Sequence, residues 1–338
     1  MKILSLIVPC YNSQDYMEKC IESLLPGGEN VEILLINDGS YDATGDIAES
    51  YQNKYPHMVR VFHQSNKGHG GAINTGLRHA KGQYIKVVDS DDWFDLRAYK
   101  TVLEKLENIN EQNQHIDMFI CNYVYEKVGA KKKKIINYTG ALPENRVFTW
   151  EETGKFKKGQ YMLMHSVIYS RDLIMKSHLQ LPEHTFYVDN LFVFIPLVHV
   201  EKMFYLNVDL YRYFIGRENQ SVNEAMMIKR VDQQLLVNRL MLNKVSLEDI
   251  DNKKKRYYMF NYFEIVTIVS SVILVREGSA ISLSKKEALW SDISMESLWV
   301  RNRLLMHIVG LLSYSNSYFS RNVLSILYKL SNKVFGFN

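Results

Sequence analysis

The chain has 338 residues, of which 46% are hydrophobic and 23% charged, and this balance excludes a protein that is disordered throughout. Its net charge of +4 is too small for the strongly basic surface of a nucleic-acid-binding protein, so no nucleic-acid partner is expected. The three cysteines are odd in number and lack metal-ligand spacing, which argues against a disulfide framework or a zinc site and favours a reducing compartment.

The first third of the chain alternates short apolar runs with segments of helical periodicity. No secretion signal is expected, because Met1–Cys10 has neither a long apolar region nor a small-residue cleavage site. Apolar strands that alternate with helices predict an α/β fold, with a mostly parallel sheet and helices on both faces. The predicted strands are Ile3–Pro9, Val31–Asn37, Val59–His63 and Gln83–Val88, and the predicted helices are Ser13–Leu25, Asp42–Tyr51 and Gly71–Ala80.

The middle of the chain is less regular. Asp117–Glu126 and Lys133–Tyr138 are predicted as two strands joined by a turn around Gly129, with the lysines of segment 131–134 at its tip. A lysine run can attract phosphates, but a solvated hairpin is the favoured interpretation, and we assign the run no role.

Glycine and proline almost vanish from about Val222 onward, which predicts helices to the end of the chain. We therefore expect a catalytic α/β domain over residues 1–220 and a helical domain over residues 221–338. The apolar segment Tyr257–Val275 contains Glu264 and a pair of serines, so it is predicted as a buried helix rather than a membrane span.

The last predicted helix is amphipathic and basic. Residues 301–338 include five basic residues and no acidic residue. Packing within the domain or oligomerisation is the favoured role, and contact with an anionic membrane surface is the alternative. The apolar positions that recur at helical spacing are Phe319, Val323, Ile326, Leu330 and Val334.

Acidic and amide side chains follow three of the predicted strands, at Asn12, at Asn37-Asp38 and at Asp89-Ser90-Asp91-Asp92. Ligands of an open parallel sheet bind beyond the carboxyl ends of its strands. Clustered carboxylates repel one another unless a cation offsets their charge, and an Asp-x-Asp motif suits Mg²⁺ or Mn²⁺ bound together with substrate phosphates. Capping of the following helix would account for one aspartate but not for the cluster.

Together, the segments VPCYNS, INDGSYDAT and NKGHGGAINTGLRHAKGQYIKVVDSDDW resemble the family 2 glycosyltransferases with the GT-A fold, over about residues 3–220. The resemblance is to the bacterial type that builds cell-surface polysaccharides or other glycans. It implies an inverting glycosyltransferase that uses Mn²⁺ or Mg²⁺ and moves a hexose from a UDP-sugar to a hydroxyl of a glycan, lipid-linked or protein-linked acceptor. Such an enzyme is expected to be cytoplasmic, and a peripheral position at the inner face of the cell membrane and a homo-oligomeric state are compatible with it.

The resemblance also implies roles for individual residues. Asp38 would accept a hydrogen bond from the uracil imide, Asp89 would meet the ribose, and Asp91 would hold the metal. Arg212 or Arg217 would offset the charge of the departing UDP, although an ordinary surface arginine is an equal alternative. The complete predicted nucleotide-sugar site is Pro9, Tyr11, Asn12, Asp38, Lys67, Asp89, Ser90, Arg212 and Arg217.

The family places its catalytic base in an acidic pair after the sheet, and the matching segment here is Phe186–Phe192. Val188 replaces the first acid of the pair, so Asp189 is the predicted catalytic base. Its alternative role is to cap the helix predicted over Asn190–Val198. The histidines show no metal-binding spacing within a helix, and His165 is left out of the predicted site although it lies in an apolar stretch near it.

Three other functions compete with this interpretation. A dinucleotide oxidoreductase needs Gly-x-Gly-x-x-Gly at the first strand–helix turn, where this chain has Pro9–Ser13. A metal-dependent phosphotransferase built on the aspartates of segment 89–92 gives no use to Asp38 or Asp189. A catalytically weak sugar-nucleotide-binding module is suggested by Val188, and turnover of a UDP-sugar would separate it from an enzyme.

Overall fold

A computed structural model of the protein describes residues 2–127, 129, 133–157, 160–216 and 223–335, with side chains up to residue 330. The chain divides into two compact units, Met1–Ile215 and Gly216–Asn338. The boundary predicted at residue 220 falls in segment 217–222, outside the described residues.

The core of the first unit is an eight-stranded sheet whose strand order is β3-β2-β1-β4-β10-β6-β11-β9. The first four strands in the chain are parallel neighbours in the order β3-β2-β1-β4, so their carboxyl ends lie at one edge. β10 runs antiparallel to β4 and β6, which makes the sheet mixed beyond β4. The strands are β1 Leu4–Cys10, β2 Val31–Asp38, β3 Val59–Gln64, β4 Tyr84–Val87, β6 Met118–Ile120, β9 Val147–Phe148, β10 Val167–Ser170 and β11 Met203–Tyr205.

Helices pack on this sheet by burying one face each. The first helix, for example, buries Met17, Cys20, Ile21 and Leu24, which recur at helical spacing. The fourth helix begins at a side-chain cap, because Asp95 accepts a hydrogen bond from the backbone N–H of Ala98. The helices of this unit are α1 Met17–Leu24, α2 Thr44–Lys54, α3 Gly68–His79, α4 Leu96–Glu111, α5 Arg171–Lys176 and α6 Asp189–Leu197.

A second sheet of four strands has the order β5-β12-β7-β8, and the sequence did not predict it. The single strand expected over Asp117–Glu126 is wrong, because the chain leaves the large sheet after β6 and joins the small one at β7. Asn122 fixes the break, since its side chain hydrogen-bonds Tyr205 at 2.7 Å and Asp209 at 2.9 Å. The strands are β5 Trp93–Phe94, β7 Tyr123–Lys127, β8 Lys134–Ile136 and β12 Tyr211–Ile215.

β7 and β8 are antiparallel, as the predicted hairpin requires. Residues 130–132, at the predicted lysine-rich tip, lie outside the described residues. Lys133, next to them, pairs with Glu126 at 2.7 Å.

The described residues of the second unit form helices and the loops that connect them. Its longest helix, α9, packs against α7, α8, α10, α12 and α13. Among the described helices α9 alone is long and apolar enough to span a bilayer, but its apolar side chains are mostly buried against its neighbours, so this is weak support for a span. The helices are α7 Glu224–Lys229, α8 Val231–Lys244, α9 Lys253–Glu277, α10 Ala280–Glu296, α11 Leu298–Leu305, α12 Ile308–Tyr314 and α13 Tyr318–Phe335.

Candidate active site

The loops after β1 and β2 are joined at the carboxyl edge of the sheet. The backbone N–H of Asn12 donates to Ser40 Oγ at 3.1 Å, and the side-chain oxygen of Asn12 accepts from the N–H of Tyr41 at 3.0 Å. Tyr11 is 44% exposed, and its hydroxyl donates to that of Tyr41 at 2.8 Å. Pro9 is buried in β1 beside Ile36 of β2. The two loops thus present Tyr11 and Asn12 side by side at the edge.

Asp38, at the end of β2, is almost fully buried and organises the loop after β3. Its Oδ1 atom accepts from the amide of Gln64 at 2.6 Å and from the backbone N–H of Lys67 at 2.8 Å. The side chain of Lys67 reaches Glu183, with a separation of 3.5 Å. Asp38 therefore holds Lys67 at the same edge as Tyr11.

The glycine-rich start of α3 brings a distant segment, residues 181–189, to this edge. Gly68 has a φ of +73°, and a Cβ there would lie 2.9 Å from the backbone of His184. The N–H of His184 donates to the carbonyl of Lys67 at 2.8 Å. Further along α3, the side chain of Asn74 bonds both the N–H and the carbonyl of Leu181, at 3.0 and 2.8 Å. Segment 181–189 is thereby fixed against α3.

Asp89, after β4, forms an ion pair with His69 of α3. His69 Nε2 lies 2.9 Å from Asp89 Oδ1. Burial alone would raise the pKa of Asp89, but the hydrogen bond and charge of His69 hold it below its usual value. Burial likewise opposes protonation of His69, yet Asp89 raises the pKa of this imidazole above its usual value. The carboxylate is therefore ionised at neutral pH and oriented from the α3 side.

Asp89, Asp92 and His165 place their possible ligand atoms within 4.8 Å of one another. Asp91, the predicted metal ligand, lies in the same loop but is not in this group, which includes Asp92. Asp92 is buried and accepts from the hydroxyl of Tyr211 at 2.7 Å. Burial, followed by the charge of Asp89, raises the pKa of Asp92 well above its usual value.

His165 is buried, and neither of its ring nitrogens has a hydrogen-bond partner within the described residues. Its Nε2 atom lies 3.7 Å from Asp89 Oδ2, and the ring stacks on that of Tyr213 at a centroid distance of 4.1 Å. Burial lowers the pKa of His165 to about 4, so the ring is neutral at pH 7. A buried neutral imidazole with an unused lone pair is a donor that a metal ion would satisfy.

These three residues fit a divalent cation. Two carboxylates and one imidazole are the oxygen and nitrogen donors that Mn²⁺ accepts, and Mg²⁺ would use the oxygens. A bound cation would also offset the repulsion between Asp89 and Asp92. Ser90, between Asp89 and Asp92 in the sequence, has its hydroxyl 2.8 Å from that of Ser13, which ties this loop to the loop after β1.

Asp189 begins α6, and Val188, which replaces the family's first acid, occupies the N-cap position and is buried. Burial raises the pKa of Asp189 to about 6, with the charge of Asp89 acting in the same direction and that of His69 opposing it. Asp189 is thus the carboxylate of the site with a pKa suited to accepting a proton near neutral pH.

Of the two arginines predicted to assist the departing UDP, the structure describes Arg212. Arg212 donates to Asp95 at 2.9 Å and to Glu126 at 3.3 Å, so two carboxylates of its own unit already hold it. Arg217 lies outside the described residues.

The predicted site left out His69, His165, Asp92 and Lys86. Lys86, in β4, is fully buried and donates to the carbonyl of His165 at 2.8 Å. Burial lowers the pKa of Lys86 to about 7. A lysine inside an apolar strand was a signal of a buried polar contact, whereas the histidines come together only through tertiary structure.

Comparisons with known proteins agree on one family. Residues 5–169 match the family model described as "Glycosyl transferase family 2". The chain is similar to the putative glycosyltransferase EpsH of Bacillus subtilis, with 28% identity over 81% of this chain and 77% of that protein. It is also similar to the uncharacterized glycosyltransferase MG025 of Mycoplasma genitalium, with 30% identity over 66% of this chain and 71% of that protein.

Among solved structures, S. aureus TarS 1–349 in complex with UDP-GlcNAc has a TM-score of 0.72 and 19% sequence identity to this chain. The match covers 98% of this chain and 92% of that one. At this identity the likeness shows a common fold.

Proposed function

Because the chain belongs to glycosyltransferase family 2 and is a glycosyltransferase, we propose that it moves a sugar from a UDP-sugar to a hydroxyl acceptor, with a divalent metal and with inversion. The observation that carries the proposal is the group of Asp89, Asp92 and His165, in the same unit as a base of raised pKa, Asp189. TarS, which has a similar fold, was crystallised with UDP-GlcNAc, and this supports a UDP-sugar donor.

In this proposal the donor lies along the carboxyl edge of the sheet. Tyr11 offers an exposed ring to the uracil, and Asp38 accepts from the imide N–H. Asp89, oriented by His69, meets the ribose side of the nucleotide. Pro9, Asn12, Lys67 and Ser90 complete the nucleotide pocket, and Arg212 or Arg217 serves the departing diphosphate.

Asp89, Asp92 and His165 would hold the metal, together with the predicted ligand Asp91. When bound, Mn²⁺ or Mg²⁺ would supply positive charge to the diphosphate as it departs. His165 is suited to this because its low pKa leaves it neutral, so no proton has to be displaced near pH 7.

Asp189 acts as the general base. It takes the proton from the acceptor hydroxyl while that oxygen forms its bond to the anomeric carbon. The bond from the anomeric carbon to the UDP oxygen breaks in the same step, and UDP leaves with the electron pair. One in-line displacement of this kind inverts the configuration at that carbon.

The proposed acceptor is a glycan, or a lipid-linked or protein-linked molecule, of the kind used in building a bacterial surface polysaccharide. Residues 1–220 form the catalytic domain, and residues 221–338 serve packing, oligomerisation or contact with a membrane surface. The proposed location is the cytoplasm, peripheral at the inner face of the cell membrane.

Binding of a donor panel tests the proposal. Thermal shift and calorimetry with UDP-glucose, UDP-galactose, UDP-N-acetyl sugars and GDP-mannose, each with Mn²⁺ or with a chelator, should show metal-dependent binding of at least one UDP-sugar. Release of UDP should then require the same metal. A preference for GDP-mannose would overturn the assignment of a UDP-sugar donor. Equal donor binding with Mn²⁺ and with the chelator would overturn the assignment of a metal.

A further inference from the structure

The helices α11 to α13 leave large apolar side chains in solvent. Ile308 is 78% exposed, Met306 77% and Phe319 72%. Eight apolar residues of segment 298–330 are more than half exposed, and we call them the C-terminal apolar surface. They are Leu298, Met306, Ile308, Leu311, Tyr318, Phe319, Ile326 and Leu330.

The same helices already bury a different set of side chains. Leu304 and Leu324 are almost fully buried, and Leu324 packs with Val272 and Val275 of α9. The internal packing of the helical unit is therefore satisfied without the C-terminal apolar surface. Eight large apolar side chains exposed on three consecutive helices favour a surface to which something else binds.

The charged residues of segment 297–338 itself are all basic. Carboxylates reach it from other helices, since Glu264 pairs with His307 and Glu287 accepts a hydrogen bond from Asn316.

Arg303 and Lys329 are exposed, whereas Arg301 and Arg321 are partly buried. Lys333 and Val334 have side chains outside the described residues. The segment itself has a net positive charge, which favours an anionic partner.

A basic and aromatic cavity of about 260 Å³ lies at α11, the helix that carries Leu298. Its lining is Lys253, Arg256, Tyr257, Trp299 and Arg303. The guanidinium groups of Arg303 and Arg256 lie 5.1 and 5.9 Å from the Trp299 ring centre. The nearby carboxylate of Glu248 accepts from Ser297 at 3.4 Å, so it reduces the positive charge but does not cancel three cations.

We propose that the C-terminal apolar surface docks on an anionic lipid bilayer. Its apolar side chains would enter the boundary between headgroups and acyl chains, as in interfacial amphipathic helices. Trp299 and Tyr257 have the side chains that are enriched at this depth, and the arginines and lysines would meet lipid phosphates. Membrane docking itself does not depend on the proposed function. Only its consequence does: a glycosyltransferase docked on a bilayer would use a lipid-linked acceptor.

Vesicle binding by the full chain, without donor, tests this directly. Vesicles of pure phosphatidylcholine are compared with an equal mixture of phosphatidylcholine and phosphatidylglycerol, and the bound fraction is measured by flotation. We expect binding to the mixed vesicles to be at least about tenfold tighter, and to weaken when salt is raised from about 0.1 to about 0.5 M.

The variant Ile308→Ser should weaken vesicle binding by about tenfold. Ile281→Ser is the matched control, because Ile281 is 70% exposed but lies on α10, outside the surface. Both variants should keep the wild-type melting temperature, since neither side chain is buried. An equal loss in the two variants would overturn the proposal.

Two further outcomes would also overturn it. One is absence of vesicle binding by the wild type. The other is a dimer in solution that Ile308→Ser converts to a monomer, which would assign the surface to a second copy of the chain. Because no donor is present, a failure here is distinct from a failure of sugar transfer, which is assayed separately.

Discussion

The substitution Asp189→Asn separates a general base from a carboxylate that only begins a helix. Asparagine keeps the size of the side chain and removes its basicity. The N-cap of α6 is Val188, so the substitution does not change the capping residue. Asp189 also lies outside the group of possible metal ligands, and affinity for Mn²⁺ and UDP should therefore be retained.

The expected loss of transfer is about 10² to 10⁴-fold, or about 2.7 to 5.4 kcal/mol of the barrier. The pH dependence is a second readout. Burial raises the pKa of Asp189 to about 6, and a base acts only after losing its proton. The wild-type kcat/KM should therefore rise as the pH increases through about 6 and then level, and the variant should lose this rise.

Sugar transfer and calorimetric binding of UDP are measured on one preparation. The control is Asp172→Asn, which removes an exposed carboxylate from the first turn of α5 without touching the site. It should leave transfer unchanged. If Asp189→Asn binds UDP normally and transfers at close to the wild-type rate, the base assignment fails.

Three other substitutions test the remaining assignments. His165→Ala should weaken Mn²⁺ binding by about tenfold or more in calorimetry, whatever its activity, and unchanged affinity would remove it from the metal site. Asp38→Ala should weaken UDP binding by roughly 1 to 3 kcal/mol, and an equal Kd for UDP in variant and wild type would contradict uracil recognition. For Lys86→Met we expect an altered pH dependence of stability in urea unfolding. Burial lowers the pKa of Lys86 from 10.5 to about 7, so between these pH values the unfolded chain binds a proton that the folded chain does not. The free energy of unfolding of the wild type should therefore rise relative to that of the variant from about pH 7 to pH 9. A difference between the two free energies that stays constant over this pH range would contradict the lowered pKa.

The sequence predicted the part of the fold that local pattern determines. The α/β class and the four parallel strands are confirmed, because buried strands and amphipathic helices leave periodic signals. The family, which was predicted from its motifs, is confirmed as well. The predicted strand Val31–Asn37, for example, differs from β2 by one residue.

The second sheet was missed for a physical reason. Its strands are short and come from distant parts of the chain, and β5 has only two residues. The break at Asn122 depends on partners more than 80 residues away, such as Tyr205 and Asp209. No local pattern contains that information.

The candidate site shows the same division. Asp38 and Asp89 were predicted as site residues because they follow apolar strands in a recognisable motif. His165 precedes β10, and only the antiparallel insertion of that strand beside β4 brings it to Asp89. Sequence motifs do not reveal such a contact, because it depends on the order of the strands in the sheet and not on the spacing of residues along the chain.

Successive side chains of strand β12 point to opposite faces of the small sheet. Tyr211 and Tyr213 both contact the His165 ring, with centroids 4.8 and 4.1 Å away. Arg212, between them, must therefore point to the opposite face of the strand, where Asp95 and Glu126 hold it. The tyrosines of the Tyr-Arg-Tyr segment thus wall the group around His165, while its arginine joins the small sheet to the start of α4. For Arg212 to assist the departing UDP, both of these ion pairs would have to open, so the structure favours a structural role for Arg212 over a catalytic one.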